Sequence, residues 1–204
     1  MADIYTIGYT SYEITNFIDV LKAFGIKLVV DVRSLPYSEY YPDYNKESLE
    51  KTLSRYNIFY RNYSREFGAR QTAKNFFAPE GYLDFEKFTK SNNFMQGFSK
   101  LVKSLEQGYT FALLCAEKNP ATCHRSIMVS RVFSESGCIV RHILQNGETE
   151  TQSDVENQLV EHYFPNRNQL TLFDDNVIDD SLFVKKAYRL RNSEIGYRLE
   201  AVAN

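Results

Sequence analysis

The side chains with the greatest capacity for chemistry lie in residues 115–125, here called the cysteine loop. An apolar run ends at Cys115, and a polar stretch containing Glu117 leads to Cys123, His124 and Arg125. A helix start and neighbouring cations lower the pKa of a thiol, so Cys123 is predicted to be a nucleophile. Cys115 is a candidate nucleophile, resolving thiol or ligand, and His124 or Glu117 is the candidate acid–base group. The alternative is that both thiols are inert packing residues.

A strand, a loop and a helix start with an arginine resemble the anion cradles of phosphatases and sulfurtransferases. Asp31-Val32-Arg33 is similar to a string found in rhodaneses. The compact loop of such cradles, a cysteine followed by five residues and an arginine, is absent, because Cys115 and Arg125 are ten positions apart. The loop contains Glu117 and Pro120 where glycines would be needed, so we do not expect its backbone amides to wrap a phosphate closely.

Metal binding is a further option for the cysteine loop. Cys115, Glu117, Cys123 and His124 are all ligand types, but no Cys-x-x-Cys pair is present. Adjacent cysteine and histidine side chains seldom point to one ion. The sequence therefore favours a hydrogen-bonded imidazole over a metal ligand, and it identifies no cofactor.

The elements that must position these groups alternate along the chain. Apolar, β-branched runs predict strands, which are at residues 4–7, 27–32, 58–60, 111–114 and 139–144. Segments with helical spacing lie between them, which predicts an α/β fold: a single Rossmann-like domain, with a mainly parallel sheet of about five strands and helices on both faces. This domain is expected to span residues 1–165, and residues 166–204 to form a C-terminal tail with a short helix at 181–191.

Ligands of such sheets bind beyond the carboxyl ends of the strands. This rule places Tyr9, Asp31, Arg33 and Arg61 at the same edge as the cysteine loop. Together with Arg125 they are the predicted anion- or substrate-binding residues. Arginines beside tyrosines suit a ligand with a phosphate and a base, so a nucleotide or nucleic acid is the predicted partner. The alternative is that the aromatic rings cover the core and the arginines pair with carboxylates.

Composition sets broad bounds on the protein. The formal net charge is −2, so bulk charge does not favour a polyanion partner. Three cysteines do not make a disulfide framework. No signal peptide and no apolar run of about 20 residues is evident, so a cytoplasmic protein without a membrane partner is expected. The sequence does not indicate the oligomeric state.

Several segments together resemble a known family. These are TIGYT (6–10), VVDVRSLPYS (29–38), Phe67-Gly68, LLCAEKNPATCHR (113–125) and HIL (142–144). Over about residues 3–165 they are similar to the bacterial and archaeal family known as domain of unknown function 488. Tyr9 stands where that family often has histidine. The resemblance implies a small α/β domain and leaves the reaction open.

A separate signal lies near the C-terminus. Gln169, Leu170, Leu172 and Phe173 belong to a segment that resembles the peptide with which bacterial replication and repair proteins dock on the sliding clamp. The alternative is a short strand on the protein's own surface.

Three functional hypotheses follow. The leading one is a thiol-dependent hydrolase or transferase that acts on a nucleotide or nucleic acid. The second is a non-enzymatic DNA-processing adaptor that docks on the clamp. The third is a metal-binding protein.

Overall fold

The computed structural model describes residues 3–10, 12–167 and 180–199. Within them six strands form one sheet: β1 (Asp3–Gly8), β2 (Leu28–Asp31), β3 (Phe59–Asn62), β4 (Phe111–Cys115), β5 (Ile139–Ile143) and β6 (Thr149–Thr151). Their order is β3-β2-β4-β1-β5-β6, with β1 to β5 parallel and β6 antiparallel to β5. The predicted mainly parallel α/β fold is confirmed. The prediction of about five strands misses β6, a short polar strand without an apolar run.

Helices connect and cover the strands. The α-helices among the described residues are α1 (Ile14–Ala23), α2 (Lys46–Ser54), α3 (Ser64–Phe67), α4 (Phe85–Phe88), α5 (Asn92–Glu106), α6 (Arg131–Glu135), α7 (Gln152–Tyr163) and α8 (Asp180–Ile195). α1 buries Phe17, Ile18 and Leu21, whose spacing of one to four residues places them on one face. In this part of the chain, no helix is long and apolar enough to cross a membrane.

The sheet is buried on both faces. In β4, Phe111, Leu113 and Cys115 belong to one core cluster, whereas Ala112 and Leu114 belong to the other. Successive side chains of a strand point to opposite faces, so the two clusters lie on opposite sides of the sheet. Helices α1 and α2 contribute to the second cluster, and α5, α6, α7 and α8 contribute to the first. β4 is therefore a central strand that is buried along its whole length, between β2 and β1.

Helix α8 packs into the first core cluster. It buries Phe183, Ala187 and Tyr188. Asn192 donates a hydrogen bond to the carbonyl of Leu83 at 2.8 Å. The C-terminal segment thus contributes to the core, and the division of the chain at residue 165 stays a prediction.

Candidate functional site

The cysteine loop begins where β4 ends. Cys115 is the last residue of that strand, and a 3-10 turn at Pro120–Thr122 brings the chain back towards the sheet. The turn is stabilised by Asn119, whose side chain accepts a hydrogen bond from the backbone of Ala121 at 2.8 Å. Cys123 and His124 follow, directly before a π-helix at Arg125–Ser130. The 3-10 turn and the start of the π-helix thus bring the second half of the loop back to the end of β4.

The structure brings four predicted site residues into one cluster. Cys115 Sγ lies 2.8 Å from Oε2 of Glu117, and Cys123 Sγ lies 3.0 Å from the same oxygen. His124 Nδ1 lies 3.7 Å from Cys115 Sγ. The ligand atoms of these four residues all lie within 4.8 Å of one another. The adjacent side chains of Cys123 and His124 thus both approach Cys115 at the start of the π-helix, and metal binding by the four residues stays a prediction.

The imidazole of His124 is held in one orientation. Its Nε2 lies 2.9 Å from the carbonyl oxygen of Val32, at the end of β2. When the ring is neutral, that carbonyl keeps the remaining proton on Nε2 and leaves the lone pair of Nδ1 facing the sulfur atoms. This is the arrangement in which histidines commonly bind metal ions in proteins.

Charge is distributed unequally between the two thiols, both of which are buried. Burial raises the pKa of the Cys115 thiol well above its ordinary value, and the neighbouring Cys123 and Glu117 add to the shift. Burial opposes ionisation of Cys123 as well. Its hydrogen bond with Cys115, the charge of Arg125 and the imidazole of His124 nevertheless hold the pKa of the Cys123 thiol well below its ordinary value. Of the two thiols, Cys123 is therefore the one whose ionisation is favoured.

The cluster borders a cavity of about 420 Å³. Cys115, Glu117 and His124 line it, and Cys123 lies behind them. Residues from other elements that also line it are Tyr9, Arg33, Ser34, Leu35, Tyr37, Ala69, Arg70, Ile195 and Tyr197. A volume of this size suits a small-molecule ligand.

Arg33 and Asp31 form a buried ion pair at the cavity wall. Arg33 Nε lies 2.9 Å and 3.1 Å from the two carboxylate oxygens of Asp31, and Nη2 donates to Asp31 and, at 2.8 Å, to the carbonyl of Tyr44. The hydroxyl of Tyr60 donates to Asp31 at 2.7 Å. Asp31 is fully buried, and the hydrogen bonds from these partners replace the water that its carboxylate has lost. Its observed role is to orient Arg33.

Arg125 is fully buried behind the cysteine loop. Its guanidinium donates to the backbone carbonyls of Glu117 and Lys118, and its Nε donates to the hydroxyl of Thr6 at 3.2 Å. These contacts tie the loop to β1 and leave the guanidinium without access to the cavity. The structure thus places Arg125 as a residue that positions the loop.

The other predicted anion-binding residues are divided between two surfaces. Tyr9 lines the cavity and stacks on Tyr44, with ring centroids 4.4 Å apart. Arg61 lies on β3, donates to the carbonyl of Tyr60, and does not line the cavity. Of the predicted arginines, the cavity therefore contains Arg33.

Three further residues that line the cavity lie outside the predicted site. Ser34 directly follows Arg33 in the VVDVRSLPYS segment, Arg70 lies in an arginine- and aromatic-rich stretch, and Tyr197 follows α8. The backbone N–H of Arg70 donates a hydrogen bond to the hydroxyl of Ser34 at 2.8 Å. The guanidinium of Arg70 lies 5.9 Å from the ring centroid of Tyr197. Tertiary packing alone brings them to the cysteine loop.

A buried polar chain supports the site from behind. The hydroxyl of Thr6, which accepts from Arg125, lies 2.7 Å from His142 Nδ1. His142 Nε2 lies 2.9 Å from the side-chain oxygen of Gln152. Burial, together with the charge of Arg125, lowers the pKa of His142 to about 3. His142 is therefore neutral in the folded protein at neutral pH.

Acidification is expected to destabilise the metal-free protein through His142. Its pKa falls from the ordinary 6.5 to about 3 on folding, so the unfolded chain binds more protons and stability declines as pH drops from 6.5 towards 3. At about pH 4.5 this amounts to about 2 to 3 kcal/mol. Urea unfolding across this pH range measures it. His142→Gln preserves a donor and an acceptor without titrating, so its curve should be flatter, and parallel curves would contradict the prediction.

The segment with the proposed clamp-docking residues Gln169, Leu170, Leu172 and Phe173 lies outside the described residues. Docking on a sliding clamp stays a prediction.

Comparisons with known proteins agree with the resemblance seen in the sequence. No curated protein and no solved structure matches the chain. A family model described as "Domain of unknown function DUF488" matches residues 13–132, which include the whole cysteine loop, β2 and β4. The chain belongs to the DUF488 family.

Proposed function

We propose that this protein is a metal-dependent hydrolase with a Zn²⁺-type ion held by the cysteine loop. The observation that carries the proposal is the convergence of two thiols, an imidazole and a carboxylate within 4.8 Å beside a cavity. Sulfur and nitrogen donors with one oxygen are the set that zinc prefers. Ligands around a tetrahedral zinc ion are about 3.3 to 3.8 Å apart, so modest side-chain adjustment would accommodate the ion.

The four ligands differ in how firmly they are held. Cys115 is fixed by β4, Cys123 accepts the backbone N–H of Arg125 at 3.4 Å, and His124 is oriented by the carbonyl of Val32. Glu117 is an exposed residue of the loop and borders the cavity. Catalytic zinc sites keep three protein ligands and one exchangeable position. Glu117 is the ligand that exchanges with water.

This arrangement supports hydrolysis. A Zn²⁺-type ion held there would supply an acidified water molecule and a positive charge near the developing negative charge of the substrate. Glu117 would take the proton of that water as its oxygen bonds to the electrophilic centre of the substrate. Glu117 would then return the proton to the leaving group as the bond to that group breaks.

Metal content and thiol protection test the proposal together. Purified protein loaded with Zn²⁺ should hold one ion per chain, and alkylation of Cys115 and Cys123 should be slow until a chelator removes it. Cys138, half-buried and distant from the cluster in sequence, is the internal control, because its labelling should not respond to the chelator. Absence of stoichiometric zinc binding would reject the proposal.

Thiol-dependent group transfer is a second candidate. It is favoured by Cys115, which lines the cavity with its sulfur 2.8 Å from the Glu117 carboxylate, a geometry suited to a nucleophile and its base. The alkylation experiment separates the two candidates, because this one requires selective, chelator-independent labelling of Cys115 in a protein that binds no zinc.

A further inference from the structure

A cationic side chain that lines the cavity has one nitrogen atom without a hydrogen-bond partner among the described residues. Arg33 is 5% exposed, and its Nε and Nη2 are committed to Asp31 and the carbonyl of Tyr44. Its Nη1 has no hydrogen-bond partner among the described residues. Buried polar groups are normally paired, because an unpaired N–H loses its hydration without compensation.

The direction of this free N–H group is fixed. The guanidinium is planar, and three of its contacts with Asp31 and Tyr44 fix the orientation of that plane. An N–H group that is oriented before the ligand arrives loses little entropy on binding. Arg33 is therefore built to receive one acceptor atom.

Other arginines near the site do not share this property. The guanidinium of Arg125 is bonded to the carbonyls of Glu117 and Lys118 and to Thr6. Arg61 lies outside the cavity. Arg70 lines the cavity as an exposed residue and adds positive charge there.

We propose that the cavity binds a tetrahedral oxyanion of the phosphate or phosphate-ester class, with one oxygen on Arg33 Nη1 and another on the metal ion. The contact with the ion rests on the proposed function, whereas the contact with Arg33 does not. A tetrahedral anion offers separate oxygens to the two positive groups and has further oxygens to face Arg70, which also lines the cavity, whereas a carboxylate has only two oxygens. The substrate is then a phosphate ester, and the hydrolysis is attack on phosphorus with release of an alcohol.

Tyr9 lies next to the donor. Nη1 is shielded from solvent, and the Arg33 guanidinium carbon lies 5.0 Å from the centroid of the Tyr9 ring. Tyr9 lines the same cavity. Binding of an oxygen at Arg33 is therefore expected to change the environment of the Tyr9 ring.

Inorganic phosphate is the probe, and wild-type protein is titrated with it in metal-free and zinc-loaded forms. Side-chain NMR should show saturable shifts of the Arg33 guanidinium and the Tyr9 ring, with unchanged signals from Arg125. Zinc should tighten phosphate binding by about 10-fold or more. Arg33→Lys should weaken phosphate binding by about 10-fold or more without changing zinc affinity, whereas the matched variant Arg61→Lys should leave both unchanged.

The outcomes separate this proposal from the metal centre. If zinc binds but phosphate shifts neither Arg33 nor Tyr9, the oxyanion site is wrong and the metal centre stands. If phosphate shifts Arg33 in a protein that binds no zinc, the metal centre is wrong and the contact at Arg33 stands. Equal shifts of Arg33 and Arg61 would indicate surface binding and would overturn the proposal.

Discussion

Replacing Cys123 by serine is expected to weaken zinc binding by more than about 100-fold. Residues that merely orient ligands contribute about 10- to 100-fold to metal affinity, and Cys123 is proposed as a ligand itself. Its sulfur accepts the backbone N–H of Arg125 and lies 3.0 Å from Glu117, so it is set in place before the ion arrives. A serine hydroxyl remains protonated at neutral pH and is a poor zinc ligand.

Competition with a chromophoric chelator measures the zinc affinity, and Co²⁺ substitution reports the number of sulfur ligands through charge-transfer absorption. Cys115→Ser should behave like Cys123→Ser. Cys138→Ser is the matched control: Cys138 is half-buried and lies outside the cluster, so its replacement should retain full affinity. Equal zinc affinity in wild type and in Cys123→Ser would show that this thiol is not a ligand.

The four-residue cluster could be predicted in part from the sequence. Cys115, Glu117, Cys123 and His124 lie so close along the chain that a strand end followed by a short loop must keep them near one another. Their convergence on one point was not predictable. It depends on the 3-10 turn and on the start of the π-helix, and a π-helix leaves no simple periodic signal in a sequence.

The roles of the arginines were not predictable for a different reason. Arg33 follows Asp31 by two residues, which predicts that their side chains lie close together. The sequence does not show that Nη2 also donates to the carbonyl of Tyr44, or that Nη1 is left without a partner among the described residues. Arg125 is buried because carbonyls of its own loop and Thr6 of a neighbouring strand satisfy it. Burial of an arginine depends on acceptors that the folded backbone brings to it, and a sequence pattern does not show them.

The fold was more accessible to sequence reasoning than the site. Central parallel strands are apolar on both faces, so residues 28–31 and 111–115 stand out as continuous apolar runs. The order of strands in the sheet and the docking of α8 involve contacts between distant segments. Tyr197 therefore lines a cavity that no local pattern connects with it.

Gly8→Ala is expected to disrupt both the cysteine loop and the fold. Gly8 is paired with Cys115 across β1 and β4, and the next residue, Tyr9, donates its backbone N–H to the Cys115 carbonyl at 3.1 Å. A Cβ atom at position 8 would overlap the carbonyl oxygen of Glu117 and lie 2.7 Å from its carbonyl carbon. Both are backbone atoms, and that oxygen is the acceptor for Arg125. The loop must therefore move, at a cost of about 2 to 4 kcal/mol in stability.

Loss of zinc affinity distinguishes this effect from ordinary destabilisation. Displacing Glu117 and the contact with Arg125 should reduce zinc affinity by about 10-fold or more, as measured by chelator competition under conditions where the variant is folded. Gly25→Ala is the control, since Gly25 has a φ of +64° with no atom within 4 Å of an added Cβ. It should lose about 1 kcal/mol through backbone strain and keep its zinc affinity. Because both variants add one methyl group to a glycine, a difference in zinc affinity between them isolates the close approach of β1 to the cysteine loop. Equal zinc affinities would mean that this approach does not position the ligands.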